Sequence, residues 1–298
     1  MNYLKKRKIT DGVWYGLMTA AAIAVGAALI GIIAYILIQA MGMSAVADHS
    51  NATSGGGTAS GAVATAELFR IRNLFPMIVS TAWTVVVSLV IALPVGVMTA
   101  VYLHEYAAKS SLSRFLGLAI DTLAGIPSII YGLFGLLFFC RFMNLGQSII
   151  AGGLTLSIMI LPVIIRTTEE ALKTVPVSFR EGSLSLGATK FQTILHVVLP
   201  PALPGILTAA ILAVGRVVGE SAPVLLTVGL ARNLPKTIFE PGRTLTIHLY
   251  YLTKEAIEAD DFAQAFTAAA VLIVVVLFIN TVVKIIGRSF GGSASVEE

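Results

Sequence analysis

The chain has 298 residues, of which 56% are hydrophobic and 12% charged, with a formal net charge of +4. That balance is too oily for a soluble α/β domain of this length and indicates a protein whose solvent is lipid. The positive sign does not point to nucleic acid, because the lysines and arginines are scattered between apolar runs and form no stripe with interleaved aromatics.

A spanning helix needs about 20 mostly apolar residues, and six windows qualify, predicting an all-α membrane protein with six transmembrane helices. The first covers residues 13–41, behind an N-terminal stretch, 1–12, that carries Lys5, Lys6, Arg7 and Lys8. Its uncharged stretch is far longer than the apolar core of a signal peptide, so it is expected to remain as an anchor. Residues 42–73 are expected to be an external loop, rich in Gly and Ser and containing Gly55, Gly56 and Gly57. The triplet Asn51-Ala52-Thr53 within it spells a glycosylation sequon of the kind that arises by chance.

Residues 74–286 are expected to form a five-helix core, with spans at 74–103, 116–139, 147–165, 202–229 and 262–286 and a tail at 287–298. Pro94, Pro127 and Pro162 are candidate kinks in the second, third and fourth spans. Asp121, near the start of the third, is expected to favour the positive end of its helix. Cys140 has no second cysteine to pair with and is expected to be packing. Outside the spans, twelve Lys and Arg residues fall on the N-terminal side of the membrane and seven on the other. The positive-inside rule then puts both termini in the cytoplasm.

Residues 172–199, on the cytoplasmic side, are patterned as two short helices with a sharp joint. Val175 and Pro176 favour a helix start, and Gly187 suits the left-handed position at its end. Thr189 and Gln192 have the spacing of a capping box. The helix they open carries Phe191, Ile194, Leu195 and Val198 and is expected to stop at Pro200 and Pro201. Periodicity alone fits either a loop lying on the headgroups or helices seated in a groove of a partner.

Glu181-Gly182-Ser183, Gly187, and Val197, Leu199 and Pro200 resemble the EAA loop of ABC importer permeases, with matching spacing throughout. Gly182 and Ser183 stand where that motif has alanines, and Val197 where it has isoleucine. The resemblance extends over nearly the whole chain and is nearest to the PstA type of phosphate permease, in the PstA/PstC family. It rests on Pro94-Val95-Gly96 with Tyr102-Leu103-His104-Glu105-Tyr106, on Ala124-Gly125-Ile126-Pro127-Ser128 through Tyr131-Gly132-Leu133-Phe134-Gly135, on Leu186-Gly187-Ala188-Thr189, and on Gly219-Glu220-Ser221-Ala222-Pro223. It implies a type I ABC importer bundle in the bacterial inner membrane, with Glu181 and Gly187 coupling to a separate ATPase. It also implies a second permease of the PstC type, two copies of a PstB-type ATPase holding ATP and magnesium, and an external PstS-type phosphate-binding protein. No cofactor, metal site or catalytic residue is expected on this chain.

Arg216 lies 14 residues after Ala202, about 21 Å along a helix at ~1.5 Å per residue. Glu220 follows one turn later. Each costs roughly 2.5–3.5 kcal/mol at a helix centre, while an i,i+4 pair returns about 0.2–0.5 kcal/mol, so local helix stability does not explain them. One reading makes Arg216 the anion contact on the substrate path with Glu220 as its counter-charge; the resemblance points the same way. The other makes them structural glue. Gly215 and Gly219 would let another helix approach closely. Leu245, Leu249, Leu252 and Ala256 predict a short surface helix, either a landing site for a binding protein or a lid.

Alternatives of the same class are permeases for sulfate or molybdate. A proton-coupled secondary transporter using Glu220 is the rival mechanism, but it leaves the EAA-like loop without a role. An intramembrane hydrolase built on Ser221 is argued against by His49, His104, His196 and His248, all placed outside mid-span, and by the lack of a phosphate-binding glycine loop.

Overall fold

The computed structural model describes residues 15, 18–40, 59–107, 111–255 and 259–291, with backbone alone at 59–73, 259–261 and 286–291. Residues 1–12, Gly55 to Gly57, the sequon and 292–298 lie outside them. All elements among the described residues are helices, and the chain divides into two compact units. In the first, Met1–Arg70 with Leu252–Ala270, helix α1 (Met18–Ala40) is long enough to span and exposes Ile23, Ile30 and Ile38 as a lipid-facing helix would. Tyr35 meets Phe266 edge-on at 6.0 Å.

The second unit, Ile71–Tyr251 with Val271–Glu298, holds most of the core. Helix α2 (Ala59–Val101) begins well before the expected Leu74, so residues 59–73 are helix and not external loop. Ala59, Ala62, Ala64 and Ala66 are strong helix formers, and the first proline of this helix is Pro76. The helix ends in a π-helical turn, Tyr102–Tyr106. The expected third span, with its candidate kink at Pro127, is two helices, α3 (Ser111–Ala124) and α4 (Ser128–Gly135, continued as a π-helical stretch to Phe142), bent by 99°. Pro127 caps α4 with an extended backbone, as the restricted residues around a proline favour. Pro94 and Pro162 sit inside unbroken helices, so of the three candidate kinks only Pro127 marks a break.

Helix α5 (Ile149–Lys173) is the most enclosed span. Its Ser148 cap accepts a hydrogen bond from the Ala151 N–H at 3.3 Å. Two short helices follow, α6 (Val177–Ser185) and α7 (Lys190–Thr193). A π-helical turn, Ile194–Val198, carries the chain without a stop into α8 (Leu199–Gly219). The expected stop at Pro200 and Pro201 is therefore wrong, because both prolines fall in the opening turn of α8, where a missing N–H is tolerated. The expected fifth span is also cut short: it breaks at Glu220 and Ser221 before α9 (Ala222–Thr227). Helix α10 (Leu245–Glu255) matches the short surface helix, with Leu245 and Ile247 buried. Helix α11 (Ala259–Gly291) is the last span and runs into the expected tail. Five helices qualify as spans, and six if the bent pair counts as one.

Close approach of these helices rests on small residues. A Cβ at Gly153 would meet Val87, and one at Gly205 would meet Ala171. The buried hydroxyls of Ser80, Thr81, Thr84 and Ser88 on α2 each donate to the carbonyl four residues back. They are thus satisfied by their own helix and add no uncompensated polarity to the apolar interior.

Candidate functional site

The break after α8 forms where two of the sequence runs meet. A Cβ at Gly132 would lie 2.8 Å from Pro223 Cα, and one at Gly135 would strike Thr155 and Thr227. Glycine is needed at both because α9 and α5 press against α4 there. Tyr131, buried beside them, donates its hydroxyl to the Leu123 carbonyl at 2.7 Å and so spans the 99° bend. Cys140 is buried, with Sγ 3.7 Å from the Thr227 carbonyl. Thr155 is six residues, about 9 Å, along α5, and Gly132 is roughly one turn deeper. The break beside Gly132 is thereby placed in the middle third of α5.

Arg216 and Glu220 remain together, but on different backbones. Arg216 is in the last turn of α8, whereas Glu220 is its cap, with φ −76° and ψ 135°. Arg216 Nε lies 3.8 Å from Glu220 Oε1, with side chains 32% and 18% exposed. That separation is an ion pair without a hydrogen bond between these two atoms. Ala209, Ala213, Val214, Val217 and Val218 bury one face of α8. Thr208, Leu212, Gly215 and Gly219 are exposed on the other, which carries the charged pair at its edge. A Cβ at Gly215 or Gly219 would meet nothing within 4 Å. The described residues thus leave uncovered a face that carries two glycines, with the cation–anion pair at its edge.

The loop of residues 172–199 is built as its sequence predicts. Gly187 has φ +86°. Its N–H donates to the Leu184 carbonyl at 3.0 Å and the Ala188 N–H to the Ser183 carbonyl at 3.3 Å, a Schellman closure of α6. The Thr189–Gln192 capping box is present. Ser183, at the place of a motif alanine, hydrogen-bonds Thr193 at 2.9 Å and joins α6 to α7. Glu181 is exposed. Around it and Gly187 stand exposed Val177, Phe179, Leu184 and Phe191, with Leu186 90% exposed. An exposed apolar patch of this kind marks a surface that a partner protein or the membrane covers.

Two ionic clusters escaped sequence reasoning. Asp121 lies in the last turns of α3 and not near its start, where its charge opposes the helix dipole. It is paired instead with Arg166 of α5 at 2.7 Å, and Arg166 also meets Glu169 at 2.7 Å and donates to the Gly117 carbonyl at 3.0 Å. Arg180, next to Glu181, contacts Glu105 at 2.9 Å. Glu105 stood within one of the quoted runs, but its partner is 75 residues away. His248 of α10 is held as the neutral imidazole: burial, then the nearby Arg243 and Arg232 charges, push its pKa down to about 4.

Comparison with known proteins places these features. Residues 92–292 match the family model described as binding-protein-dependent transport system inner membrane component. The "Probable ABC transporter permease protein YqgI" of Bacillus subtilis is 34% identical, over 94% of this chain and 96% of that protein. The "Phosphate transport system permease protein PstA 1" of Mycobacterium tuberculosis is 40% identical over 65% of this chain and 64% of its own length. Among solved structures, a chain of the MetNI methionine ABC transporter in an inward-facing conformation superposes with a TM-score of 0.58 at 26% identity, covering 74% of this chain and 95% of that one.

Proposed function

The chain belongs to the binding-protein-dependent transport system inner membrane components, and from that membership we propose that it is the PstA-type permease of an importer for inorganic phosphate, lining half of the path. As an ABC transporter permease subunit it is a multi-pass membrane protein and not an enzyme; a separate subunit hydrolyses ATP. The single observation that carries the substrate reading is the Arg216–Glu220 pair on the uncovered face of α8. A guanidinium whose fork is not consumed by its carboxylate neighbour is suited to an oxyanion. The nearby carboxylate keeps that anion from being held too tightly, which a conduit requires.

The same face argues for a second permease as the opposite wall, here a PstC-type chain, with Gly215 and Gly219 admitting its close approach. Glu181 and Gly187, amid the exposed apolar tip of the loop, would seat in a PstB-type ATPase that carries ATP and magnesium, and a PstS-type protein would deliver phosphate from outside. Both termini would lie in the cytoplasm, as the positive-inside count favours. The test is uptake of radiolabelled phosphate by the complete complex in proteoliposomes, with ATP enclosed and with sulfate or molybdate as competitors. ATP-dependent phosphate uptake that neither competitor suppresses is expected. Suppression by a modest excess of sulfate or molybdate would reassign the substrate, and uptake driven by a proton gradient without ATP would overturn the mechanism.

A further inference from the structure

The loop that carries Glu181 and Gly187 is covalently continuous with α5 on one side and α8 on the other. The structure adds a third attachment. Arg180 of α6 reaches Glu105 in the π-helical end of α2, Nη2 at 2.9 Å and Nε at 3.0 Å from Oε1. The same guanidinium donates to the Val175 carbonyl at 2.7 Å and the Leu172 carbonyl at 3.0 Å, and lies 3.5 Å from His104 Nε2. The carbonyl bonds cap the end of α5, where Pro176 has no N–H to offer. They fix α6 to α5 and do not require a carboxylate. Glu105 is the unexplained partner: its side chain is only 9% exposed and Arg180 only 15%, on helices that have no neighbouring sequence in common.

The second half of the loop meets the same turn. Lys190, the first residue of α7, sits 4.5 Å above the Tyr106 ring, and Tyr106 stacks on Tyr102. Ser183 and Thr193 tie α6 to α7. The three pieces, α6, α7 and the π-helical turn Tyr102–Tyr106, therefore close a triangle of side-chain contacts. A triangle moves as one body, whereas a loop held only at its ends can flex between them.

We propose that Arg180 and Glu105 form a rigid joint fixing the coupling loop to the cytoplasmic end of α2, so that displacement of the loop by its ATPase is delivered to α2 as well as to α5 and α8. Both are positioning residues, and the proposal rests on the coupling role given to the loop above. A forked guanidinium is needed because one side chain must hold two carbonyls and a carboxylate at once, which an ammonium does not reach.

The test measures phosphate uptake and ATP hydrolysis together in the complete reconstituted complex, as phosphate moved per ATP consumed. Glu105→Gln keeps volume and hydrogen bonding but removes the ion pair. It should assemble with its ATPase and hydrolyse ATP within about twofold of the parent, while phosphate moved per ATP falls about tenfold. Arg180→Lys should fall between the two. Should the single variant fail to assemble, the double variant Arg180→Met/Glu105→Gln, which leaves no uncompensated charge, decides the matter by the same ratio. An unchanged ratio at equal assembly overturns the joint. A parent complex that hydrolyses ATP yet moves no phosphate overturns the substrate reading instead, so the two failures are distinct.

Discussion

Replacing Arg216 by Gln separates an anion contact from structural glue. At 3.8 Å and an effective dielectric constant near 20, two unit charges attract by about 4 kcal/mol. The guanidinium is 32% exposed, so screening brings the net worth of the pair towards about 1 kcal/mol. As glue the pair is therefore worth little. As a substrate contact, the arginine supplies charge-assisted hydrogen bonds of about 1.5–3 kcal/mol each, and losing one of them lowers transport roughly 10- to 100-fold at ~1.4 kcal/mol per decade. Arg216→Gln should thus cut uptake by that factor while the complex still co-purifies intact. Arg216→Gln/Glu220→Gln should assemble as well as the parent and stay as inactive as the single arginine variant. The assay is initial uptake rate in proteoliposomes, normalised to assembled complex. Parental uptake by the double variant refutes the contact and leaves the pair as packing.

Gly187→Val forces a β-branched residue to φ +86° where no neighbour obstructs a Cβ, so any loss is backbone strain of about 1–3 kcal/mol. Phosphate-dependent ATPase stimulation should drop, with Gly187→Asn, which tolerates that region, much nearer the parent. Equal behaviour of the two variants would exclude the backbone explanation. Gly135→Val drives side-chain atoms into Thr155 and Thr227 and should destabilise the detergent-solubilised complex by about 1–3 kcal/mol in a thermal-melt assay; an unchanged melt would show that the α4–α5–α9 packing is looser than drawn. His248, with its pKa depressed to about 4, binds fewer protons folded than unfolded between that value and about 6.5. Its contribution is complete above pH 6.5 and is lost as pH falls through 4. His248→Gln should flatten the decline in melting temperature between pH 7 and 4.5, and a parallel decline in both proteins would remove the histidine as its cause.

Much of this was legible along the chain, and the remainder was hidden for identifiable reasons. Apolar length predicts where a helix crosses, so the first, fourth and last spans stand close to where they were expected. Hydropathy does not see the backbone, so it counted one span through Pro127, where the foreseen kink is a 99° break, and carried another past Glu220, where the helix in fact ends. Proline is also ambiguous by position: Pro200 and Pro201 look like a stop and are the first turn of α8. Local motifs did best. The left-handed Gly187 and the Thr189–Gln192 box depend on neighbours within a few residues, and both are present. Arg180–Glu105 and Arg166–Asp121 pair residues 75 and 45 positions apart, which no single-sequence periodicity connects. Of the candidate site, residue identities were visible, but not that the charged pair straddles a helix end on an uncovered face.

The unbroken passage from Lys190 to Gly219 has a mechanical consequence. It is a lever that begins in the loop and whose far end carries Arg216, 26 residues or about 39 Å away. A tilt of ~5° about the loop end swings the guanidinium by about 3 Å, the length of one hydrogen bond. Because the rod ends at Glu220, that swing is not passed on to α9, which is pinned to α4 through Gly132 and Pro223. Arg216 rides on the rod and Glu220 caps its end, its N–H still donating to the Val217 carbonyl at 3.3 Å. On the transport reading proposed above, a swing of that size is comparable with the 3.8 Å between the two charges, so motion at the loop would reach the place where the anion is handled.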